Sequence, residues 1–252
     1  MPPGVVVWAI GDVHGRLDLL EPLLDAIEAD AAASTAARKV VVMLGDYVDR
    51  GPDSRGVIER LLRLPNDGDR ERRFLRGNHE ERMLAFLSEP DLGPGWCDYC
   101  GREAMRSYGV ASPAMRGDAD GWAEAAQSLA EAMGPPHRAF LRDLEYSVEI
   151  GDYFFAHAGA RPGVPLAAQA SNDLMWIRNA FLVDAEPFER IVVHGHTPEG
   201  EAVSDYRRIG LDTGAYATGV LSAVRLEGAE RELIQAVAGG GGVSVRRSPL
   251  SG

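Results

Sequence analysis

An α/β fold is predicted because short β-branched runs alternate with amphipathic helical patterns at the start of the chain. Residues 5–10 and 39–44 are two such runs, and each ends at a Gly-Asp pair, as buried strands do. Between them, apolar side chains recur at helical spacing over residues 19–27, with Asp18 as the expected helix N-cap. A second helical stripe leads to a very short strand at residues 74–75. The order strand, helix, strand, helix, strand is typical of this class.

The middle of the chain has a different pattern. Residues 88–137 are rich in Pro, Gly, Ala and aromatic residues without a clear strand, which predicts a mostly helical cap insertion. A hairpin turn is predicted at Gly151-Asp152. Further strands are predicted at residues 191–193, 208–211, 220–226 and 231–237. We therefore expect one domain over residues 1–238, followed by a flexible, Gly-rich tail over residues 239–252.

Composition limits the classes of function. The net charge is −12, from 38 acidic and 26 basic residues, which argues against a nucleic-acid polymer as partner. It does not argue against a phosphate-binding site, because bound cations can reverse the local potential. Two cysteines are too few for a disulfide scaffold, and no apolar run reaches membrane-spanning length. We expect a cytoplasmic protein that does not associate with membranes.

Polar clusters follow the predicted strands at five places. Ligands bind beyond the carboxyl ends of strands in open α/β sheets, so these loops are expected to converge. Their carboxylates, imidazoles and single carboxamide suit divalent Mn, Fe, Zn or Co, and the lack of thiolates argues against a structural zinc site. The clusters are Gly11-Asp12-Val13-His14-Gly15, Gly45-Asp46-Tyr47-Val48-Asp49-Arg50-Gly51, Gly77-Asn78-His79-Glu80, His157-Ala158-Gly159 and Gly195-His196.

Each cluster alone has an ordinary alternative interpretation. A Gly-Asp pair after a strand is usually a turn. His194 and His196 fit the surface or the core equally well, and Asn78 could cap the following helix. The prediction of a metal site depends on all five clusters occurring in order, each at a strand end.

The ordered clusters resemble the PPP-type, calcineurin-like metallophosphoesterase superfamily, particularly its bacterial and phage Ser/Thr protein phosphatases. The resemblance covers residues 5–226 and includes the late stretch Asp212-Thr213-Gly214-Ala215. It implies a four-layered α/β/β/α sandwich with two divalent metal ions at the edge of the central sheets. Mn²⁺ is the expected ion, with Fe, Zn or Co as alternatives.

The resemblance also implies a ligand for each ion. Asp46 would bridge both ions, and Pro198 stands where broader metallophosphoesterases carry a final histidine ligand. His194 lies on the wrong side to replace that histidine and is left out of the ligand set. The implied ligands are Asp12 and His14 for the first ion and Asn78, His157 and His196 for the second.

In the mechanism that this arrangement implies, a hydroxide shared by the two ions attacks phosphorus in line. His79 is the expected general acid for the leaving oxygen, and Asp49 is expected to orient its imidazole. Arg50 and Arg178 are expected to bind phosphoryl oxygens. Arg161 is a third candidate, whose alternative interpretation is a solvated surface charge.

Two classes of substrate fit this chemistry. The first is a phosphoprotein or phosphopeptide carrying phosphoserine or phosphothreonine, and also phosphotyrosine. The alternative is a dinucleoside polyphosphate, as cleaved by a symmetrical bis(5'-nucleosyl)-tetraphosphatase. For that substrate the insertion offers aromatic and basic side chains: Trp96, Tyr99, Arg102, Arg106, Tyr108, Arg116 and Trp122.

Two further interpretations remain at this point. An inactive scaffold with the same fold is disfavoured, because His79, Asp49 and every implied ligand are present. Cys97 and Cys100 form a Cys-x-x-Cys motif, for which a redox or metal-binding role is the alternative to an ordinary structural one.

Overall fold

Two β-sheets pack face to face in the computed structural model, which describes residues 1–64 and 70–251. The first sheet has the strand order β11-β10-β9-β1-β2-β3 and the second β4-β5-β6-β8-β7. The strands are β1 (Val5–Ile10), β2 (Arg38–Met43), β3 (Arg70–Phe74), β4 (Ser147–Ile150), β5 (Tyr153–Ala156), β6 (Ile191–His194), β7 (Val203–Ser204), β8 (Arg208–Gly210), β9 (Val220–Glu227), β10 (Glu230–Gly239) and β11 (Gly242–Pro249).

Helices cover the outer faces of both sheets. In the first sheet β1 pairs in parallel with β2 and β2 with β3, so the connecting helices return over one face. The helices are α1 (Leu17–Ala33), α2 (Ser54–Leu62), α3 (Asn78–Ser88), α4 (Gly93–Trp96), α5 (Arg102–Ser107), α6 (Ala119–Arg142), α7 (Ser171–Trp176), α8 (Asn179–Leu182) and α9 (Ala215–Thr218). The described helices are all too short or too polar to cross a lipid bilayer.

Alternating side chains divide the core into three apolar layers. On β1, Trp8 points toward α1 and the insertion, whereas Val7 points into the space between the sheets. On β5, Phe155 points into the same space, whereas Phe154 packs outward against α7 and α8. These layers confirm the predicted α/β/β/α sandwich.

The start of α1 differs from the prediction. The helix begins at Leu17 with Arg16 in the capping position, so the prediction that Asp18 is the N-cap was wrong. Asp18 lies in the first turn and forms an ion pair with Arg16 at 2.7 Å. A carboxylate interacts favourably with the helix dipole both at the N-cap and in the first turn, so acidic residues are common at both positions. The sequence alone therefore does not distinguish the two positions for Asp18.

The insertion is built from α4, α5 and α6. The last of these helices bends at Gly134, which has a φ of 64°, and continues to Arg142. Pro135 and Pro136 directly follow the bend, where a helix restart needs no backbone donor. The Pro135-Pro136-His137 segment is therefore part of a helix, and His137 Nδ1 lies 2.9 Å from the Tyr108 hydroxyl.

The end of the chain also corrects a prediction. Residues expected to form a flexible tail instead form β11, which pairs antiparallel with β10 along its length. Val243 and Val245 alternate with polar residues and pack against the outer core layer beside α1. The Gly-rich run suggested disorder, but it makes the tight connection of a hairpin whose last paired residues are Gly239 and Gly242.

Candidate functional site

Four loops from both sheets meet at the side chain of Asp46. Its carboxylate lies 3.4 Å from His14 Nε2, in the loop after β1, and 3.4 Å from His157 Nε2, in the loop after β5. It also accepts a hydrogen bond from the backbone N–H of His79, in the first turn of α3, at 3.1 Å. The loops that were predicted to converge therefore do so around one buried carboxylate.

Backbone carbonyls set the orientation of two imidazoles. His14 Nδ1 lies 2.8 Å from the carbonyl of Val48, and His157 Nδ1 lies 3.0 Å from that of Leu44. A carbonyl only accepts hydrogen bonds, so each Nδ1 carries a proton and each Nε2 presents its lone pair toward Asp46. This is the arrangement expected of metal-ligating histidines.

Asn78 brings the imidazoles of His157 and His196 together. Its Oδ1 lies 3.0 Å from His157 Nε2 and 2.8 Å from His196 Nδ1. The alternative that Asn78 caps a helix is wrong, because α3 begins at Asn78 itself with Gly77 in the capping position. His196 Nε2 is buried and has no partner among the described residues.

The electrostatics of this cluster fit a bound cation. Burial lowers the pKa of His14 to about 3 and that of His196 to about 2, so both rings are neutral and can donate a lone pair. Burial and the neighbouring carboxylates of Asp212 and Asp46 raise the pKa of Asp12 well above its usual value. Several carboxylates are thus crowded together with few positive charges, a situation that divalent ions relieve.

Two groups of side chains have the separations that a metal ion requires. One comprises His14, Asp46 and His79, and the other comprises Asp46, His157 and His196. Asp46 belongs to both, which is consistent with a carboxylate shared by two ions. Asp12 lies beside the cluster, where its carboxylate accepts a hydrogen bond from the backbone N–H of His196 at 3.0 Å.

The backbone of the site is held in unusual conformations. Six described non-glycine residues have a positive φ, and five of them are predicted site residues: His14, Asp46, Asp49, Arg50 and His196. Such conformations cost free energy and persist only where surrounding contacts impose them. The sixth residue is Cys100, in the insertion.

Two glycines allow loops to approach the carboxylates. A Cβ atom at Gly77 would lie 2.1 Å from Asp46 Oδ1, and one at Gly195 would lie 1.9 Å from Asp12 Oδ1. Any side chain at either position would displace a carboxylate. The glycines of the polar clusters are therefore part of the geometry of the site.

His79 lies at the edge of the cluster in contact with its expected partner. Its Nδ1 is 2.7 Å from Asp49 Oδ2, and its Nε2 is 3.5 Å from a guanidinium nitrogen of Arg50. Burial opposes protonation of the ring, but the Asp46 carboxylate and the hydrogen bond to Asp49 raise the pKa of His79 above its usual value. A protonated imidazole with Nε2–H directed into the site is a competent proton donor.

Glu80 is a residue whose part in the site sequence reasoning missed. Its buried carboxylate accepts hydrogen bonds from the backbone N–H groups of Asp46, Tyr47, Val48 and Gly77, at 2.9, 2.7, 3.2 and 2.9 Å. It therefore ties the loop after β2 to the start of α3. Its position three residues after Gly77, typical of a capping box, was the available signal.

The arginines predicted to bind phosphate differ in their surroundings. Arg50 stacks on the Tyr216 ring at 4.5 Å, and Tyr216 in turn meets His14 edge to face. Arg178 is exposed, and its charge acts on the nearby rings of His157 and His196. Arg161 is half-exposed and forms a two-point ion pair with Asp173, with Nε 2.6 Å from Oδ2, so its part in phosphate binding stays a prediction.

His194 lies outside the cluster of ligands. It is buried against Phe181, with a ring separation of 5.0 Å, and its Nε2 lies 3.2 Å from a guanidinium nitrogen of Arg208. Its surroundings are those of a core histidine that satisfies its polar atoms locally.

The structure also changes the interpretation of the insertion. Trp96, Tyr108 and Trp122, considered as surfaces for a nucleobase, are buried core residues, whereas Tyr99 is exposed. Arg116 pairs with Asp98. The side chains offered for a nucleotide are thus largely engaged within the protein.

Neither cysteine has the surroundings of a redox-active thiol. Cys97 is buried with its Sγ 3.7 Å from Met105 Sδ, and burial raises its pKa to about 11. Burial also raises the pKa of the Cys100 thiol. Reactive cysteines require a lowered pKa, so the structural interpretation of the motif is favoured.

An aromatic and cationic stack that sequence reasoning missed lies on the other side of the cluster. The Arg82 guanidinium lies between Tyr99, at 4.0 Å, and Trp176, at 4.7 Å. The Trp176 ring is 6.3 Å from that of His196, and its indole N–H donates to Glu81 at 2.6 Å. These residues come from the insertion, α3 and α7, so only the fold brings them together.

Comparison with known proteins agrees with this geometry. Residues 5–224 match the sequence model of the calcineurin-like phosphoesterase family. A symmetrical bis(5'-nucleosyl)-tetraphosphatase of Acidovorax sp. (strain JS42) is 37% identical over 81 residues, which is 32% of this chain and 26% of that protein. Serine/threonine-protein phosphatase 1 of Salmonella typhimurium is 36% identical over 78 residues, which is 31% of each chain.

A solved structure supports the fold over a longer range. The cold-active protein-tyrosine phosphatase of a psychrophilic Shewanella sp. superimposes with a TM-score of 0.62 at 18% identity, covering 100% of this chain and 83% of that one. In contrast, the sequence alignments span only about a quarter to a third of the two relatives named above.

Replacing Glu80 by Gln tests its part in assembling the site. The amide keeps one acceptor oxygen but turns N–H groups toward backbone donors, so we expect a loss of about 2 kcal/mol in the free energy of unfolding. Binding of Mn²⁺ should weaken by about tenfold because the Asp46 loop is released. Urea unfolding and calorimetric titration measure the two effects.

Glu124→Gln, at an exposed position on α6, is the matched control. Unchanged stability and unchanged metal affinity in Glu80→Gln would contradict this role.

Proposed function

The chain belongs to the calcineurin-like phosphoesterase family, and we propose that it is a metal-dependent phosphomonoesterase acting on phosphoserine and phosphothreonine in proteins. The observation that carries this proposal is the pair formed by His79 and Asp49 at the edge of the Asp46 cluster. A proton donor at that position is most useful when the leaving group is a poor one.

Two divalent ions would be held by the side chains that converge on Asp46. The proposal is supported by the buried His196 Nε2, which has no hydrogen-bond partner in the described part of the chain, by the neutral imidazoles and by the crowding of carboxylates. Bound there, the ions would activate water and neutralise charge on the phosphoryl oxygens. The carboxylate and carboxamide oxygens of this mixed ligand set suit Mn²⁺, which we propose as the ion, and its imidazoles also fit Fe, Zn or Co. The proposed ligands are Asp12, His14, Asp46, Asn78, His157 and His196.

Arg50 and Arg178 would bind the phosphoryl group from opposite sides of the cluster. Arg50 is positioned by stacking on the Tyr216 ring, 4.5 Å from its centre. Arg178 is exposed next to the rings of His157 and His196 and is free to reach a substrate at the open face. Guanidinium groups bind two phosphoryl oxygens at once, which fixes the orientation of the phosphorus.

His79 would donate its Nε2 proton to the leaving oxygen as the P–O bond breaks. Asp49 accepts the Nδ1–H at 2.7 Å, which keeps Nε2 directed into the site and favours the protonated ring. The products are the free alcohol and inorganic phosphate. The serine or threonine oxygen leaves poorly without a proton, so this donor has a large effect on its departure.

A dinucleoside polyphosphate is the second candidate substrate. It is favoured by the sequence match to a symmetrical bis(5'-nucleosyl)-tetraphosphatase and by the exposed Tyr99 in the stack beside the site. It is disfavoured by the chemistry of its leaving group, because a nucleotide phosphate departs readily without a proton donor.

Replacing His79 by Asn tests the general acid. We expect turnover of a phosphoserine peptide to fall by about 100-fold or more, whereas turnover of p-nitrophenyl phosphate, whose leaving group needs no proton, should fall far less. Binding of Mn²⁺, measured by calorimetry, should persist. Full activity of His79→Asn on phosphoserine would show that another group supplies the proton.

A paired assay tests the substrate class. With Mn²⁺ present, kcat/KM should be higher for a phosphoserine peptide than for diadenosine tetraphosphate, since most aromatic side chains of the insertion are buried and leave little surface on which a nucleobase could stack. Release of phosphate and of ADP is followed in parallel reactions with one enzyme preparation. Substantially faster turnover of the dinucleotide would overturn the assignment to phosphoproteins.

A further inference from the structure

A hydrogen bond from the insertion reaches the Asp49 carboxylate. Asp49 Oδ2 accepts both from His79 Nδ1–H, at 2.7 Å, and from the Trp96 indole N–H, at 2.8 Å. Asp49 is completely buried, and its Oδ1 has no partner among the described side chains and backbone groups. The direction of this carboxylate is therefore set by two donors on one oxygen, and one of those donors is Trp96.

A second hydrogen bond joins the same two segments. The backbone N–H of Arg50 donates to the carbonyl of Cys100 at 3.2 Å. Asp49, Arg50 and Cys100 all have a positive φ, at 70°, 64° and 76°. Conformations of this kind need outside contacts to hold them. Cys100 of the insertion and Arg50 of the loop after β2 therefore stabilise each other's strained conformation through this hydrogen bond.

Packing fixes the direction of the Trp96 indole. Its ring lies 5.2 Å from that of Phe86, on the same helix as Asn78 and His79. Gly101 closes the other side, where an added Cβ would lie 2.4 Å from the Trp96 ring. The indole can therefore neither swing away from Asp49 nor tilt without displacing α3.

The ordinary interpretation of Trp96 is a core residue that satisfies its N–H wherever it can. Trp122, buried to the same extent in the same insertion, does this by donating to the backbone carbonyl of Met115 at 3.2 Å. Trp96 differs because it donates to a charged carboxylate that also holds the proposed acid. A charge-assisted hydrogen bond is stronger and more directional than one to a neutral carbonyl.

We propose that Trp96 is a positioning residue, which holds the Asp49 carboxylate in the orientation that His79 requires. The helical insertion then acts as a fixed support for the proton donor and for Arg50. This inference rests on the proposed role of His79 as general acid. It predicts that loss of the indole N–H affects the step that needs a proton and leaves metal binding intact.

The test compares Trp96→Phe with Trp122→Phe in the full chain loaded with Mn²⁺. We expect Trp96→Phe to lower kcat by about tenfold on a phosphoserine peptide and by less than about threefold on p-nitrophenyl phosphate. For Trp122→Phe, any loss should be equal on the two substrates.

In the background of His79→Asn, adding Trp96→Phe should have little further effect on kcat, because the two residues act as a unit. Equal losses of Trp96→Phe on both substrates, or full additivity with His79→Asn, would overturn the proposal.

A second readout does not depend on activity or on the fold of Trp96→Phe. In the metal-free protein, the Trp96 indole N–H should exchange slowly with solvent, and its NMR resonance should shift in Asp49→Asn while those of Trp8 and Trp122 do not. An unshifted Trp96 resonance would refute the hydrogen bond and with it the inference. If His79→Asn showed no dependence on the leaving group while this shift was observed, the proposed acid would be wrong and the contact with Asp49 would stand.

Discussion

The buried carboxylate of Asp46 is the point on which the rest of the structure depends. Side chains or backbone from the loops after β1, β3 and β5 contact it directly, and its own backbone carbonyl accepts hydrogen bonds from Val13 and His14 at 3.1 and 2.8 Å. Without a cation, this crowding of acidic groups is unfavourable. The fold already holds these groups in place without an ion. Glu80 accepts hydrogen bonds from backbone N–H groups of the Asp46 loop, and backbone carbonyls orient the imidazoles. A site built in this way is already organised before an ion arrives.

The two sheets and the insertion contribute different parts of the chemistry. The parallel strands of the first sheet bring Asp46, Asn78 and His79 to one edge, and the second sheet adds His157 and His196. The insertion was expected to cover the site as a cap. Its buried aromatic residues instead face inward, and the indole of Trp96 donates a hydrogen bond to Asp49. Arg178 and Tyr99, in contrast, are exposed to solvent.

Much of this architecture could be predicted from sequence, for physical reasons. Runs such as residues 39–44 alternate between two apolar layers, and each polar cluster follows a strand, so both the layers and the meeting point of the loops follow from local patterns. Resemblance to a known family supplied the ligand for each ion. The position of β11 was missed because its pattern is weak and becomes a strand only by pairing with β10.

Contacts between distant segments were beyond sequence reasoning. Trp96 and Asp49 are 47 residues apart, and no local sequence pattern in either segment predicts their hydrogen bond. The same holds for Arg161, whose pairing with Asp173 depends on how the loop before α7 turns. Local motifs identify which groups can do chemistry, whereas tertiary packing decides which of them are free to do it.

We propose that two divalent ions bind on either side of Asp46. Anomalous diffraction from crystals grown with Mn²⁺, with data collected above and below the manganese absorption edge, tests this most directly. We expect two anomalous peaks, one beside His14 and one between His157 and His196, with the Asp46 carboxylate in contact with both. A single peak, or peaks away from Asp46, would contradict it.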